Sequence, residues 1–197
     1  MTTYPEETTM STATTGTAVQ TATGTWEIDP SHTRLGFAAK HAMVTTVRGQ
    51  FDAFSGTLVL DAANPAASTA TVEIDAASFS SGSSDRDAHV RSAEFLDVET
   101  FPTLTFVATD VRQLDDQQFV MAGDLTIRGT SRPVKITAEL EGVSTDPFGS
   151  ERIGFSGTTT ISRKDFGLTW NVALEAGGVL VSDKVKITLD VSAVRQG

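Results

Sequence analysis

Cysteine is absent from this chain of 197 residues, which removes disulfides, thiolate metal sites and thiol nucleophiles from consideration. Basic residues are scarce beside acidic ones, 15 against 25, for a net charge of −10. No block of them is dense enough to neutralise a run of phosphates, so no nucleic-acid partner is expected. The same deficit argues against a general attraction to anionic membranes, and any anionic ligand group would need a local cluster of Arg or His. Apolar runs stop well short of the roughly 18 residues of a membrane-spanning helix, so no integral membrane segment is expected. Nor does the N-terminus carry a basic, leucine-rich leader; the first basic residue is Arg34, and a cytoplasmic protein is the expectation.

Catalytic signatures are missing too. There is no Walker loop, dinucleotide fingerprint or Gly-x-Ser-x-Gly elbow. Asp165-Phe166-Gly167 matches the kinase metal-binding tripeptide. It lacks the glycine-rich loop and the His-Arg-Asp loop of that machinery, and reads as a turn after a strand. His32, His41 and His89 have no metal-ligand spacing on one element. Neither a metal nor a cofactor is expected.

What the chain has in quantity is Thr, Ser and Gly, a composition that suits strands and turns. Residues 1–24 hold ten Thr and no Leu, Ile or Phe; nothing there offsets the entropy of ordering, so they read as a flexible tail. Residues 25–197 read as one domain. In it the apolar period is two. Leu35, Phe37, Ala39, His41 and Met43 share one face of Thr33–Met43, with Arg34 and Lys40 on the other. Val134, Ile136, Ala138 and Leu140 alternate with Lys135, Thr137, Glu139 and Glu141. Val181, Val185, Ile187, Leu189 and Val191 alternate with Ser182, Lys184, Lys186, Thr188 and Asp190. Such alternation marks antiparallel strands with one wet and one dry face.

Val72–Ala76, Leu104–Val111, Phe119–Ile127 and Ile153–Ile161 repeat the pattern less cleanly, giving about eight strands. The apolar phase switches between Phe51 and Phe54, which predicts a β-bulge near Ala53. Arg128–Ser131 and Asp146–Gly149 are predicted hairpin turns. Within Ser81–Pro102, Ser84 and Asp87 have capping-box spacing, predicting a short helix to about Ser92 with an Asp87–Arg91 surface pair. This insert would form a lid. Eight such strands can close into a barrel wide enough for one ligand or pack as a sandwich, and periodicity does not choose. Ala39, Ala76, Ala108, Ala138 and Gly157 among larger inward residues suggest room along an axis.

An ordered set of motifs carries a resemblance. It opens with Trp26-Glu27-Ile28-Asp29-Pro30-Ser31-His32-Thr33 and Phe37-Ala38-Ala39-Lys40-His41, then Gly49-Gln50-Phe51 with Phe54-Ser55-Gly56. Arg86-Asp87-Ala88-His89-Val90-Arg91-Ser92, Glu94-Phe95-Leu96-Asp97 and Phe101-Pro102-Thr103-Leu104-Thr105-Phe106 follow. Gly123-Asp124-Leu125-Thr126-Ile127-Arg128-Gly129, Ile161-Ser162-Arg163-Lys164-Asp165-Phe166-Gly167 and Val181-Ser182-Asp183-Lys184-Val185 complete it. In order and spacing the chain resembles the YceI-like family from about residue 25 to its end. The resemblance implies an all-β, eight-stranded antiparallel lipocalin-like barrel with a short helical lid segment. It further implies binding of a polyisoprenoid, prenyl quinone or related long-chain lipid for storage or transport, and a possible homodimer. Many members of that family are periplasmic, and the missing leader departs from that pattern.

The ligand-binding candidates are Phe37, His41, Phe51, Arg86, Asp87, His89, Phe106 and Phe155. The phenylalanines would be core and ligand wall at once. By alternation His41 points inward, either as a head-group contact or as a hydrogen-bonded histidine at the barrel end. Arg86, Asp87 and His89 on the lid could hold a phosphate or quinone oxygen, or could merely tie the helix to strand ends. The expectation is a binder and not an enzyme. The alternative is an enzyme acting on a lipid head group with His41 or His89 as acid or base, which needs a carboxylate beside the imidazole at a water-accessible cavity.

Overall fold

The computed structural model describes residues 22–175 and 177–197. Residues 1–21 of the expected tail lie outside these. The tail boundary at residue 24 moves inward, because Gly24 already pairs with Leu60 and Ala22 is buried, its carbonyl accepting from Trp26 Nε1 at 2.8 Å.

Eleven strands follow one another: β1 (Gly24–Ile28), β2 (Arg34–His41), β3 (Thr45–Phe51), β4 (Phe54–Leu60), β5 (Thr69–Asp75) and β6 (Phe79–Ser80). After the helix α1 (Ser84–Arg91) come β7 (Thr103–Gln113), β8 (Gln118–Ile127), β9 (Thr130–Thr145), β10 (Glu151–Ser162) and β11 (Val181–Arg195). All pair antiparallel, and the ring closes where Trp26 and Glu27 of β1 face both β11 and β4. β1 and β2 are two segments of one broken staff along β11; β3 with β4, and β5 with β6, make two more. The result is a closed barrel of eight long strands, which excludes a sandwich.

The expected bulge at Ala53 is instead a break on both sides. Phe51 faces Phe79, and after Asp52 and Ala53 the ladder resumes with Phe54 opposite Ile74. The partner absorbs the offset in a 3-10 turn at Ala76–Ser78, and Asp52 N donates to Ser78 O at 3.2 Å. Both predicted hairpins are present. Arg128 and Gly129 adopt positive φ of 49° and 69° between Ile127 and Thr130, as a tight turn between twisted strands requires. The Asp146 carboxylate accepts from Phe148 N and Ser150 N.

Apolar side chains point inward around one core and the charged residues of the strands face outward, the reverse of a barrel built for hydrocarbon surroundings. Among the described residues no helix is long and apolar enough to cross a membrane.

The lid forms with two corrections. Ser83, one residue before the expected cap, holds the N-cap position and makes no side-chain capping bond. Asp87 does not pair with Arg91: it is buried and accepts from the backbone N of Ser81 at 3.0 Å and from that residue's hydroxyl. Arg91 Nη2 reaches the Phe79 carbonyl at 2.5 Å. Only Val90 of this helix packs on the core, too little apolar face to dock it, so polar ties to Phe79 and Ser81 anchor it. Behind it Phe95 and Leu96 are buried, and Arg128 donates to the Ala93 carbonyl at 2.8 Å, pinning the insert over one end of the barrel.

Candidate functional site

Inside the barrel lies a cavity of about 370 Å³. It extends from the β4–β5 loop, at Asp61 and Ser68, to the lid end, at Phe95, Leu96 and Arg163. Ala39, Ala138 and Gly157 line it, as expected of small residues that leave an axis open. Gly157 faces Ala138 on one side, so two neighbouring strands thin together, and Leu189 on the other. Ala76 and Ala108 are buried but do not line the space.

Phe37, Phe51, Phe106 and Phe155 all line the cavity. Phe37 stacks on Phe79 with centroids 4.8 Å apart, and Phe51 meets Phe79 edge-on at 5.8 Å, the offset and T-shaped arrangements that aromatic rings favour. Phe106 lies across Gly123, where a side chain would collide with the ring. Phe155 stands opposite Leu140 and Val191, nearer the far end.

The polar candidates fall elsewhere. His41 closes β2 opposite Thr45 and Val181. It is exposed and outside the cavity lining, because the chain turns directly after it; Met43, placed in the same strand by alternation, sits in that turn. Arg86 is spent on Ser81, donating to its hydroxyl at 2.7 Å and its carbonyl at 2.8 Å. With Asp87 on the same serine, both tie the lid down and neither lines the cavity. His89 Nε2 lies 2.7 Å from Glu94 Oε2 and edge-on to Trp170 at 4.6 Å. This is the histidine–carboxylate pair that acid–base chemistry would ask for, but the two side chains are 36% and 58% exposed on the outer side of the lid. Neither borders the cavity.

Among the described residues only Asp61 and Arg163 bring charge to the lining, one at each end. Asp61 is engaged by its own loop, accepting from Ala63 N and Asn64 N. Arg163, 5% exposed, donates to the carbonyls of Ser182 at 3.0 Å, Leu168 at 2.6 Å and Trp170 at 2.9 Å. Burial pushes its guanidinium below the ordinary value while the Asp183 carboxylate opposes the shift, and it stays a cation. No sequence motif singles out Arg163 as a site residue, but the alternation of β10 marks it. Ile153, Phe155, Gly157, Thr159 and Ile161 face inward, and position 163 continues their phase. Asp165-Phe166-Gly167 completes the 3-10 turn after β10, with Gly167 at φ 77°.

A family model described as a YceI-like domain matches residues 26–193. A UPF0312 protein of Ectopseudomonas mendocina is 36% identical over 165 residues, 84% of this chain and 83% of its own length. Among solved structures, BcnA of Burkholderia cenocepacia superposes with a TM-score of 0.72 at 24% identity, covering 84% of this chain and 98% of that one. A polyisoprenoid-binding domain of Saccharophagus degradans, implicated in plant cell wall breakdown, superposes at 0.65 with 16% identity, covering 87% and 98%. At such identities these two share the fold.

Proposed function

The chain belongs to the YceI-like family, and from that premise we propose that it holds one long apolar amphiphile, a polyisoprenoid, prenyl quinone or related lipid, in its barrel for storage or transport. The observation that carries this reading is the cavity. It runs between the lid and the opposite loop, and among the described residues its lining is charged only at the two ends with a mostly apolar wall between them. A prenyl chain asks for shape and hydrocarbon wall alone. Each five-carbon unit buried contributes roughly 4 kcal/mol at about 0.8 kcal/mol per carbon. Four units then offset an association cost of about 4–15 kcal/mol without any catalytic group. A phosphate or quinone oxygen is better accommodated at the Arg163 end than beside Asp61, because a buried cation attracts it and a carboxylate does not.

Acid–base chemistry on a head group is the second reading, favoured by the His89–Glu94 contact of 2.7 Å. That pair sits on the outer face of the lid, so a substrate held in the barrel does not meet it.

The test is extraction of the purified protein and mass spectrometry of what is released. A retained prenyl lipid in stoichiometric amount is the expected result. A barrel that emerges empty and also refuses added polyprenyl phosphate and prenyl quinone overturns the proposal.

A further inference from the structure

The turn between β2 and β3 is unusual in both backbone and side chains. Val44 N donates to His41 O at 3.1 Å, and the two residues between them, Ala42 and Met43, have φ of 47° and 60°. Tight hairpin turns with positive φ at both central positions favour Asn-Gly, and each L residue with a β-carbon held there costs about a factor of ten in population. The strained turn also lifts apolar side chains into solvent, Met43 at 56% and Val44 at 79% exposure.

A second segment rises beside it. Ala173 bridges to Val179, Leu180 N donates to Val172 O at 2.9 Å, and Ala42 N donates to Leu180 O at 2.7 Å. The Asn171 side chain clamps the base of this flap through both backbone groups of Val181. Val172 and Val179, 46% and 38% exposed, extend the apolar tip. Directly beneath it Ala39 and Val181 line the cavity, and the β2–β11 register shifts between Val181 and Val185, where Lys40 N turns to the Ser182 hydroxyl.

The charge around this tip is opposite to that of the chain as a whole. Lys40, Arg48, Lys164, Lys184 and Lys186 are exposed on the adjoining strands and turn. Arg48 and Lys186 flank Ala38 in register on the outer wall. Among the described residues none of the five forms an ion pair. The carboxylates nearby in sequence are Asp165, Glu175 on the flap and Asp183, which is held by Ser162 at 2.8 Å. The lid at the same end carries exposed carboxylates of its own, Asp85, Glu94 and Glu99, while Asp115 and Asp116 in the β7–β8 loop beside Glu139 mark the far end.

We propose that this tip docks on the surface of an anionic lipid bilayer, Met43, Val44, Val172 and Val179 entering the acyl boundary while Lys40, Arg48, Lys184 and Lys186 meet the phosphates. Apolar side chains ringed by cations suit that interface on both counts. A second copy of the chain suits it poorly, since two such tips would bring their cations together. Phe148, 93% exposed, is the apolar tip of the other end, where Arg152 and Arg195 are held by Asp146 and Glu151 and offer phosphates little. Averaged net charge hides this polarity; the field at one end decides docking. Docking would set the lid end of the barrel against the source of an apolar cargo.

The test is sedimentation of the full chain with vesicles of phosphatidylcholine alone and of phosphatidylcholine with about one third phosphatidylglycerol. Binding only to the anionic vesicles, weakened by added salt, is expected. The double variant Met43→Gly with Val44→Ser removes the two most exposed apolar side chains of the tip while glycine eases the backbone, so it folds at least as well, and it loses tenfold or more in affinity. Lys40→Glu with Lys186→Glu loses a similar factor, and Phe148→Ala loses none. Each measurement is made on delipidated and cargo-loaded protein, so a failure to dock is distinct from a failure to hold lipid. The proposal is overturned by absent or charge-independent vesicle binding, by undiminished binding of the tip variant, or by a tip variant that changes the oligomeric mass and not the vesicle affinity.

Discussion

Phe37 lies across Gly49, its cross-strand partner, and a β-carbon on Gly49 would stand 2.5 Å from the Cζ of that ring. The missing side chain lets the ring lie flat against the wall, where it stacks on Phe79 and leaves the axis open. Local sequence here makes packing, and packing makes the cavity.

Gly49→Ala also drives its β-carbon into the Ser80 carbonyl oxygen, so β3 and β6 must part and the ring must shift. Overpacking of this kind costs about 1–3 kcal/mol, to be read from urea unfolding. Combining it with Phe37→Leu should recover part of the loss, a coupling that a double-mutant cycle measures.

Ala138→Phe places a ring at the narrow-residue belt formed with Gly157. The ring enters existing space, so the melting temperature should change little, whereas lipid recovered by extraction should fall at least tenfold. A variant that keeps its full cargo would show that the ligand lies elsewhere.

Arg163→Leu leaves the carbonyls of Leu168, Ser182 and Trp170 without their donor. At roughly 1–3 kcal/mol for each buried unsatisfied group, the loss is about 3 kcal/mol or more. Arg163→Lys keeps the charge but cannot span three carbonyls, and should fall between the two in denaturant unfolding.

Asp29 sets an acid limit. Hydrogen bonds from Ser31, then the Arg152 guanidinium at 2.6 Å, with further help from His32, hold its carboxyl far below the ordinary carboxylate value. A folded pKa below the unfolded one gives stability that is complete above the unfolded value, about 3.9, and drains away as the pH falls toward the folded one. Asp29→Asn should lower stability at neutral pH and flatten its decline below about pH 4, checked by thermal melts across that range.

Strands with an unbroken period of two, β9 and β11 above all, are legible because inward and outward faces differ in every second residue. The lining phenylalanines follow from the same phase. The helix starts one residue earlier than its capping-box spacing suggests because Ser83 and Ser84 are adjacent and the cap at Ser83 makes no side-chain bond. His41 went astray because alternation carries no notice of where a strand stops. Asp87 and Arg91 have helix-pair spacing, but Ser81 and Phe79 sit closer to them across the fold.

The amino-acid order alone settled that the chain makes long two-faced strands, where most turns fall, and which side chains look inward. Those are properties of neighbours, read at a spacing of two. Closure of β1 onto β11, the void left beside Ala138 and Gly157, and the gathering of Lys40, Arg48, Lys184 and Lys186 around one apolar tip needed the folded chain. Each depends on residues scores of positions apart, whose distances only the completed ring of strands fixes.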